Sequence, residues 1–201
     1  MANTRRASAI LVAVTLAIAV PAANGAAQSA QPWSIQASAL AASQQIGGSA
    51  ISGFGFEGQL RYTPASLWSL GGGVQYSSHP SGNEKINIVG GFLEPRYAID
   101  IGSDKVAPYL AARLAFLHES STLDVDPGVV VTLVEFSSSG SAFGAGAGVL
   151  FRATSRINVD IGAAFVRQSF SSATSGGSTA NFSSFTGYVA KAGLSLGFGS
   201  R

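Results

Sequence analysis

From Tyr188 to Phe198 the chain reads "YVAKAGLSLGF", and every second residue, Tyr188, Ala190, Ala192, Leu194, Leu196 and Phe198, is apolar. Alternation with period 2 predicts a strand with two chemically different faces. Beyond residue 30 the pattern recurs in eight segments, at about 33 to 42, 54 to 63, 67 to 77, 86 to 100, 106 to 118, 142 to 152, 156 to 168 and 185 to 198. In the second, Phe54, Phe56, Gly58, Leu60 and Tyr62 oppose Gly55, Glu57, Gln59 and Arg61; in the third, Trp68, Leu70, Gly72, Val74 and Tyr76 oppose Ser69, Gly71, Gly73 and Gln75. The fourth and fifth are less clean, because Ile88, Phe92 and Leu117 fall on the otherwise polar side.

The connections alternate as well. The second, fourth and sixth are tight ("TPAS", "GSDK", "ATS"), whereas the first, third, fifth and seventh run long and are rich in Gly, Ser and Asn. Such a chain predicts an up-and-down antiparallel meander whose two ends meet different environments. The longest link, 119 to 141, contains "VVVTLVEF", read as a hairpin extending the flanking strands; the last, "SSATSGGSTANFSS", is low-complexity and read as mobile.

Alternation does not say whether the apolar set faces a core or lipid. A secreted, soluble, lipocalin-like binding barrel would need a richly charged outer face, yet only 11% of the residues are charged and the polar face is mostly Gly, Ser, Ala and Gln. Aromatics on the apolar face sit near strand ends: Trp33, Tyr62, Trp68, Tyr97, Phe151 and Phe198 at the short-turn end, and Phe54, Tyr76, Phe116, Phe143, Phe165 and Tyr188 at the long-loop end. Two aromatic girdles at bilayer interfaces are the membrane reading. The predicted fold is all-β, an eight-stranded antiparallel up-and-down transmembrane barrel. Its interior would hold Glu57, Gln59, Arg61, Gln75, Glu94, Arg96, Arg113, Asp160 and Lys191 among small residues, with opposite charges paired because lone buried charges are costly. Arg61 and Arg152 lie close enough to strand ends to point to solvent instead. For Lys191 the candidate acids are Glu57, Glu94 and Asp160.

The N-terminus changes the compartment. Arg5 and Arg6, the apolar run "AILVAVTLAIAV", Pro21 and the small residues after it form a secretory signal, read as 1 to 27 with cleavage between 25 and 30; residues 28 to 201 are the barrel domain. Removing Arg5 and Arg6 from the 12 Lys and Arg leaves 10 against 10 Asp and Glu, so the mature chain is neutral and gives no reason to propose nucleic acid as a partner. With no cysteine, disulfides, thiolate catalysis and Cys-based zinc sites are excluded.

Candidate chemistry is sparse. His118 and Ser120 share a strand face, and His79 precedes Pro80 in what reads as a solvated turn. Asp124, Asp126, Glu119 and Glu135 could offer oxygen ligands to a divalent cation, but the Gly and ligand spacing of a calcium loop is missing. No catalytic residue, metal or cofactor is assigned.

The stretches "GGFLEPRYAI" and "APYLAARLAF", with the signal segment, the eight strands and the last strand, resemble the outer membrane β-barrel family of the OmpA/OmpX type. The resemblance implies a bacterial outer membrane location, a structural or adhesion-like role carried by the long loops, and a monomer in outer membrane lipid. It also implies recognition of the C-terminal strand by the barrel-assembly machinery. Leu194, Leu196 and Phe198 match that signal, whereas the final residue is Arg201 rather than an aromatic. The His118 and Ser120 spacing is similar to that in lipid A deacylase barrels, but it lies in the fifth strand and not near the C-terminus, where that family carries it.

Overall fold

The computed structural model describes residues 31–46, 49–65, 67–81, 84–123, 136–171, 173–175, 178–180 and 184–199. The proposed signal segment and the acidic residues Asp124, Asp126 and Glu135 lie outside them. Seven strands come first: β1 (Trp33–Ile46), β2 (Ser49–Tyr62), β3 (Trp68–Ser81), β4 (Glu84–Ala98), β5 (Val106–Leu123), β6 (Phe136–Arg152) and β7 (Ile157–Phe170). A short pair, β8 (Ala173–Ser175) and β9 (Ser178–Ala180), precedes β10 (Phe185–Phe198). The seven and β10 form a closed antiparallel barrel in the order β1, β10, β7, β6, β5, β4, β3, β2, while β8 and β9 make a separate two-stranded sheet. Closure runs from Trp33 opposite Phe198 to Gln45 opposite Thr186.

The strands outrun the alternating segments at the long-loop end. The first link is not a long loop: β1 continues to Ile46 and pairs with β2 up to Ser49. The third is not one either, since Ser81 pairs with Glu84. In the fifth, β5 reaches Leu123 and β6 begins at Phe136, so the ladder adds flanking residues while 124–135, with most of "VVVTLVEF", lie outside the described residues. The seventh link contains the β8–β9 pair. Backbone pairing needs no apolar face, so ladders extend through Ser- and Gln-rich sequence where hydrophobic alternation has ended.

One ladder is interrupted inside the barrel. Between Leu93 opposite Leu114 and Arg96 opposite Ala111, the β4–β5 pairing lapses at Glu94 and Pro95. Proline has no N–H to give. The same register sets Glu94 opposite Arg113, and their side chains bond across the gap, Arg113 Nε donating to Glu94 Oε2 at 2.8 Å.

Outside, the apolar set is exposed, with Phe54 74%, Phe116 67% and Tyr188 63% accessible. Trp33 packs on Tyr62 with ring centroids 4.6 Å apart, and Trp68 on Tyr97 at 4.9 Å, at the short-turn end. At the other end, Phe165 meets Tyr188 edge-on at 5.5 Å. On β2, β3, β6 and β10, which carry an aromatic of each band, the two lie eight to ten residues apart, about 30 Å of strand and about 23 Å along the barrel axis at a tilt near 40°. Such a band matches the hydrocarbon of an outer membrane.

After Phe198 the chain leaves the sheet. Gly199 has φ 91°, which non-glycine residues rarely adopt, and a Cβ there would come within 3.3 Å of Pro32. Gly199 thus lies against Pro32 and Trp33 at the start of β1, and Phe198 is the last residue of the strand.

A cation on the lipid face should be costly in proportion to its depth. Leu93→Arg, between the aromatic bands, should lower unfolding free energy in lipid vesicles by about 2 to 4 kcal/mol, whereas Ser139→Arg, above the upper band, should change it by about 1 kcal/mol or less. Urea titrations followed by tryptophan fluorescence read both.

Candidate functional site

Two levels stand out among the inward side chains. Counted from the short-turn end, the charged groups occupy the first eight residues of their strands: Arg61 and Glu57 on β2, Arg96 and Glu94 on β4, Arg113 on β5, Asp160 on β7 and Lys191 on β10. Above them lies an apolar cluster of Ile86, Ile88, Phe92, Leu117, Val166, Phe170 and neighbours. Gln44, His79 and Gln168, all buried, are set among this cluster: Gln168 pairs with Ala142 and Phe185, and His79, which lies against Gln44, pairs with Ile86. Ile88, Phe92 and Leu117, which blur the alternation of the fourth and fifth segments, are therefore interior residues of this apolar level.

Glu94 is the hub of the charged level. Its Oε1 accepts from Arg61 at 2.9 Å, Arg96 Nε at 2.8 Å and Lys191 at 3.1 Å, and its Oε2 accepts from Arg113 through both Nε and a short contact to a terminal nitrogen. Glu57 accepts from Arg113 at 2.7 Å and lies 3.5 Å from Lys191. Asp160 faces Arg96 at 2.8 Å and accepts from the Tyr109 hydroxyl and the Gln36 amide, both at 2.7 Å. Gln59 accepts from Arg61 at 2.9 Å, and Gln75 accepts from Arg113 at 3.2 Å. The Arg96 guanidinium also lies over the Tyr109 ring and that of Arg113 over Phe92, the latter joining the charged level to the apolar one.

Lys191 thus reaches Glu57 and Glu94, while Asp160 is held by Arg96. Arg61 is buried, not solvent-facing. Tyr109, Gln36, Ser38 and Ser69 join the network, although the sequence reading had not singled them out. The period-2 parity of Gln36, Ser38 and Ser69 was the available signal. Tyr109 offers none, because an aromatic at that spacing reads equally as a girdle residue.

Small residues make room for these groups. A Cβ at Gly71 would stand 2.6 Å from the Arg61 guanidinium and from Gln59 Oε1, and one at Gly162 would stand 2.7 Å from the Tyr109 hydroxyl. β6 contributes Gly144, Gly146 and Gly148 where other strands contribute charges. An eight-stranded barrel is just wide enough for its side chains, so a charged layer fits only where neighbours are this small.

His79 is not a solvated turn residue. It lies within β3, fully buried, with Nε2 3.1 Å from Ser77 Oγ and 3.4 Å from the Gln44 amide nitrogen. The extension of β3 past Pro80 carries it into the barrel mouth. His118 is on the outward face, where its Nδ1 lies 3.2 Å from Ser139 Oγ. No group of three or more His, Asp or Glu that could hold a metal is found among the described residues.

Removing the hub anion should be far worse than removing one cation. Glu94→Gln leaves four buried cations with two carboxylates and should cost about 3 to 5 kcal/mol, whereas Lys191→Met brings charges into balance and should be near neutral. Unfolding midpoints in lipid or detergent should rank wild type and Lys191→Met together, well above Glu94→Gln.

The geometry has relatives. No curated protein matches the sequence. Among solved structures, Neisserial surface protein A superposes with TM-score 0.62 at 17% identity, over 83% of this chain and 97% of that one. Ail, the attachment invasion locus protein of Yersinia pestis, does so with TM-score 0.51 at 13% identity, over 82% and 97%. The same protein in complex with the heparin analogue sucrose octasulfate gives TM-score 0.54 at 15% identity, over 82% and 97%. At these identities the likeness is one of fold. A model of the outer membrane protein beta-barrel domain matches residues 10–198. With lipid-facing girdles, a closed eight-stranded sheet and this match over almost the whole sequence, the chain belongs to the outer membrane protein beta-barrel domain family and resides in the bacterial outer membrane.

Proposed function

We propose that the protein is a non-enzymatic outer membrane scaffold, its interior filled by side chains, that presents its loop-bearing end to an external surface in an adhesion-like role. The observation that carries this reading is the reach of the β5–β6 ladder. β5 has 18 residues and β6 has 17, against 14 in β7 and β10. From Leu117 to Leu123 β5 continues beyond the upper aromatic band for roughly 20 Å of strand. Its outward side there and that of β6 carry His118, Ser120, Ser137, Ser139 and Ser141, a hydrogen-bonding surface unsuited to hydrocarbon. The remaining partners in this reading are outer membrane lipid around a monomer and the barrel-assembly machinery at β10.

Ail's complex with sucrose octasulfate suggests a comparison, but the chemistry here points elsewhere. Between residues 120 and 141 stand Asp124, Asp126 and Glu135 with no Lys or Arg. A sulfated polyanion would be repelled, so the partner is neutral or basic. Replacing 124–134 by a short Gly-Ser turn should abolish surface binding of cells expressing the protein while leaving heat-modifiable gel mobility intact. Undiminished adhesion by that variant would remove the basis for the proposal.

The lipid-modifying alternative has little to stand on. His118 bonds Ser139 and not Ser120, and among the described residues no carboxylate orients its ring. His118→Ala should leave the lipid A of expressing cells unchanged in mass spectra.

A further inference from the structure

Between the charged level and the upper polar residues lies a cavity of about 60 Å³, against the glycines of β6. Most of its wall is apolar, including Leu40, Ala115, Leu117 and Val166. Two features of its ends are unlike the wall.

At the lower end Arg113 and Lys191 line the space. They belong to a network of four cations, Arg61, Arg96, Arg113 and Lys191, against three acids, Glu57, Glu94 and Asp160. Glu94 also lines the cavity, but both its oxygens already accept from cations. The excess is one positive charge. Glu119, the other buried acid among the described residues, lies six residues further along β5 than Arg113, about 20 Å of strand away, and does not neutralise it. A buried network with one surplus cation favours a monoanion at its accessible face.

At the upper end, Gln44 and Gln168 line the same cavity, each at least nine-tenths buried. Their side-chain oxygens, Gln44 Oε1 and Gln168 Oε1, have no hydrogen-bond partner among the described residues. Buried acceptors call for a donor. Lys191 pairs with Leu40 and Gly162, so Gln44 stands four residues and Gln168 six residues further toward the long-loop end than the partners of Lys191. Four residues span about 13 Å along a strand, or about 10 Å along the axis of a tilted barrel.

We propose that this chamber binds a short linear monocarboxylate bearing a hydroxyl donor at its far end, with the carboxylate against Lys191 and Arg113, methylenes along the apolar wall, and the hydroxyl donating to Gln44 or Gln168. The carboxylate neutralises the surplus charge of the network. A hydroxyl suits the amide oxygens without adding the desolvation of a second charge. A chain of about five carbons matches the span. The site is independent of the surface role proposed for the loops, because the described residues that line it all belong to barrel strands.

The test uses the full mature protein refolded in nanodiscs, with 5-hydroxypentanoate as probe and pentan-1-ol as the uncharged control, each titrated while methyl resonances of Leu117 and Val166 are followed by NMR. Saturable shifts with 5-hydroxypentanoate, at least tenfold weaker with pentan-1-ol, are expected. Lys191→Met should weaken the carboxylate at least tenfold and leave the alcohol unchanged, and Ala164→Leu, which narrows the cavity, should remove both responses. Gln168→Leu should weaken 5-hydroxypentanoate but not pentanoate. Absence of saturation, equal response to acid and alcohol, indifference to Lys191→Met, or shifts persisting in Ala164→Leu would each overturn the proposal. Should Ala164→Leu fail to fold, Lys191→Met and the acid-to-alcohol ratio still decide it.

Discussion

The pairing of β1 with β10 is the constraint on which everything else rests. In hydrocarbon an unpaired backbone N–H or C=O has no water to turn to, so a sheet crossing the membrane must have no edge. Thirteen register pairs, from Trp33 opposite Phe198 to Gln45 opposite Thr186, remove it. Once closed, the sheet forces each strand to offer one face to lipid and one to a lumen only a few side chains wide. The girdles, the buried charges and the glycines follow from that division. Pro95 shows how tightly it binds, because the one lapse in the β4–β5 ladder is spanned by the ion pair of Glu94 and Arg113.

Within the lumen, charge and space determine each other. Four cations can approach one carboxylate only if the remaining strands contribute little bulk at that height, and Gly71, Gly162 and the glycines of β6 are what permit it. Glu94 and Glu57 together link β2, β4, β5 and β10. Such a cluster fixes register as well as filling volume, since slipping a strand by one residue would send its charges to the lipid side. Above it the apolar level does ordinary packing, with Phe170 stacked on Phe185 at 5.5 Å.

The fold was legible in the sequence because the lipid and the lumen impose opposite chemistry on alternate residues, and period 2 records the difference directly. Tight links at one end pointed to the meander, although the first and third links at the other end are short as well. Strand ends at the loop side were not legible, because Ser137 to Ser141 and Gln44 to Ile46 continue the ladders without hydrophobic contrast. His79 was misjudged for the same reason: a histidine before proline in Ser-rich sequence looks like a turn when no apolar neighbour marks the strand. Parity could nominate the residues sharing the inward face, but not their height. That Asp160 meets Arg96 and Tyr109 while Lys191 meets Glu94 depends on barrel stagger, which no single strand encodes.

The blurred segments carry more information than the clean ones. A strand whose inward face is uniformly Gly, Ser and charge describes a filled lumen, and one whose outward face is uniformly apolar describes lipid. Ile88, Phe92 and Leu117 break the first rule without breaking the second, since their outward neighbours Val89, Leu93 and Phe116 remain lipid-facing. Apolar side chains on both faces at one height give the lumen there a mixed lining, in which Gln168 stands opposite Ala142 and Phe185 and His79 opposite Ile86. Arg113 lies against the Phe92 ring at the boundary, so the charged level and the apolar one meet in direct contact. The departure from alternation in β4 and β5 is therefore the place where the sequence says something about this barrel in particular.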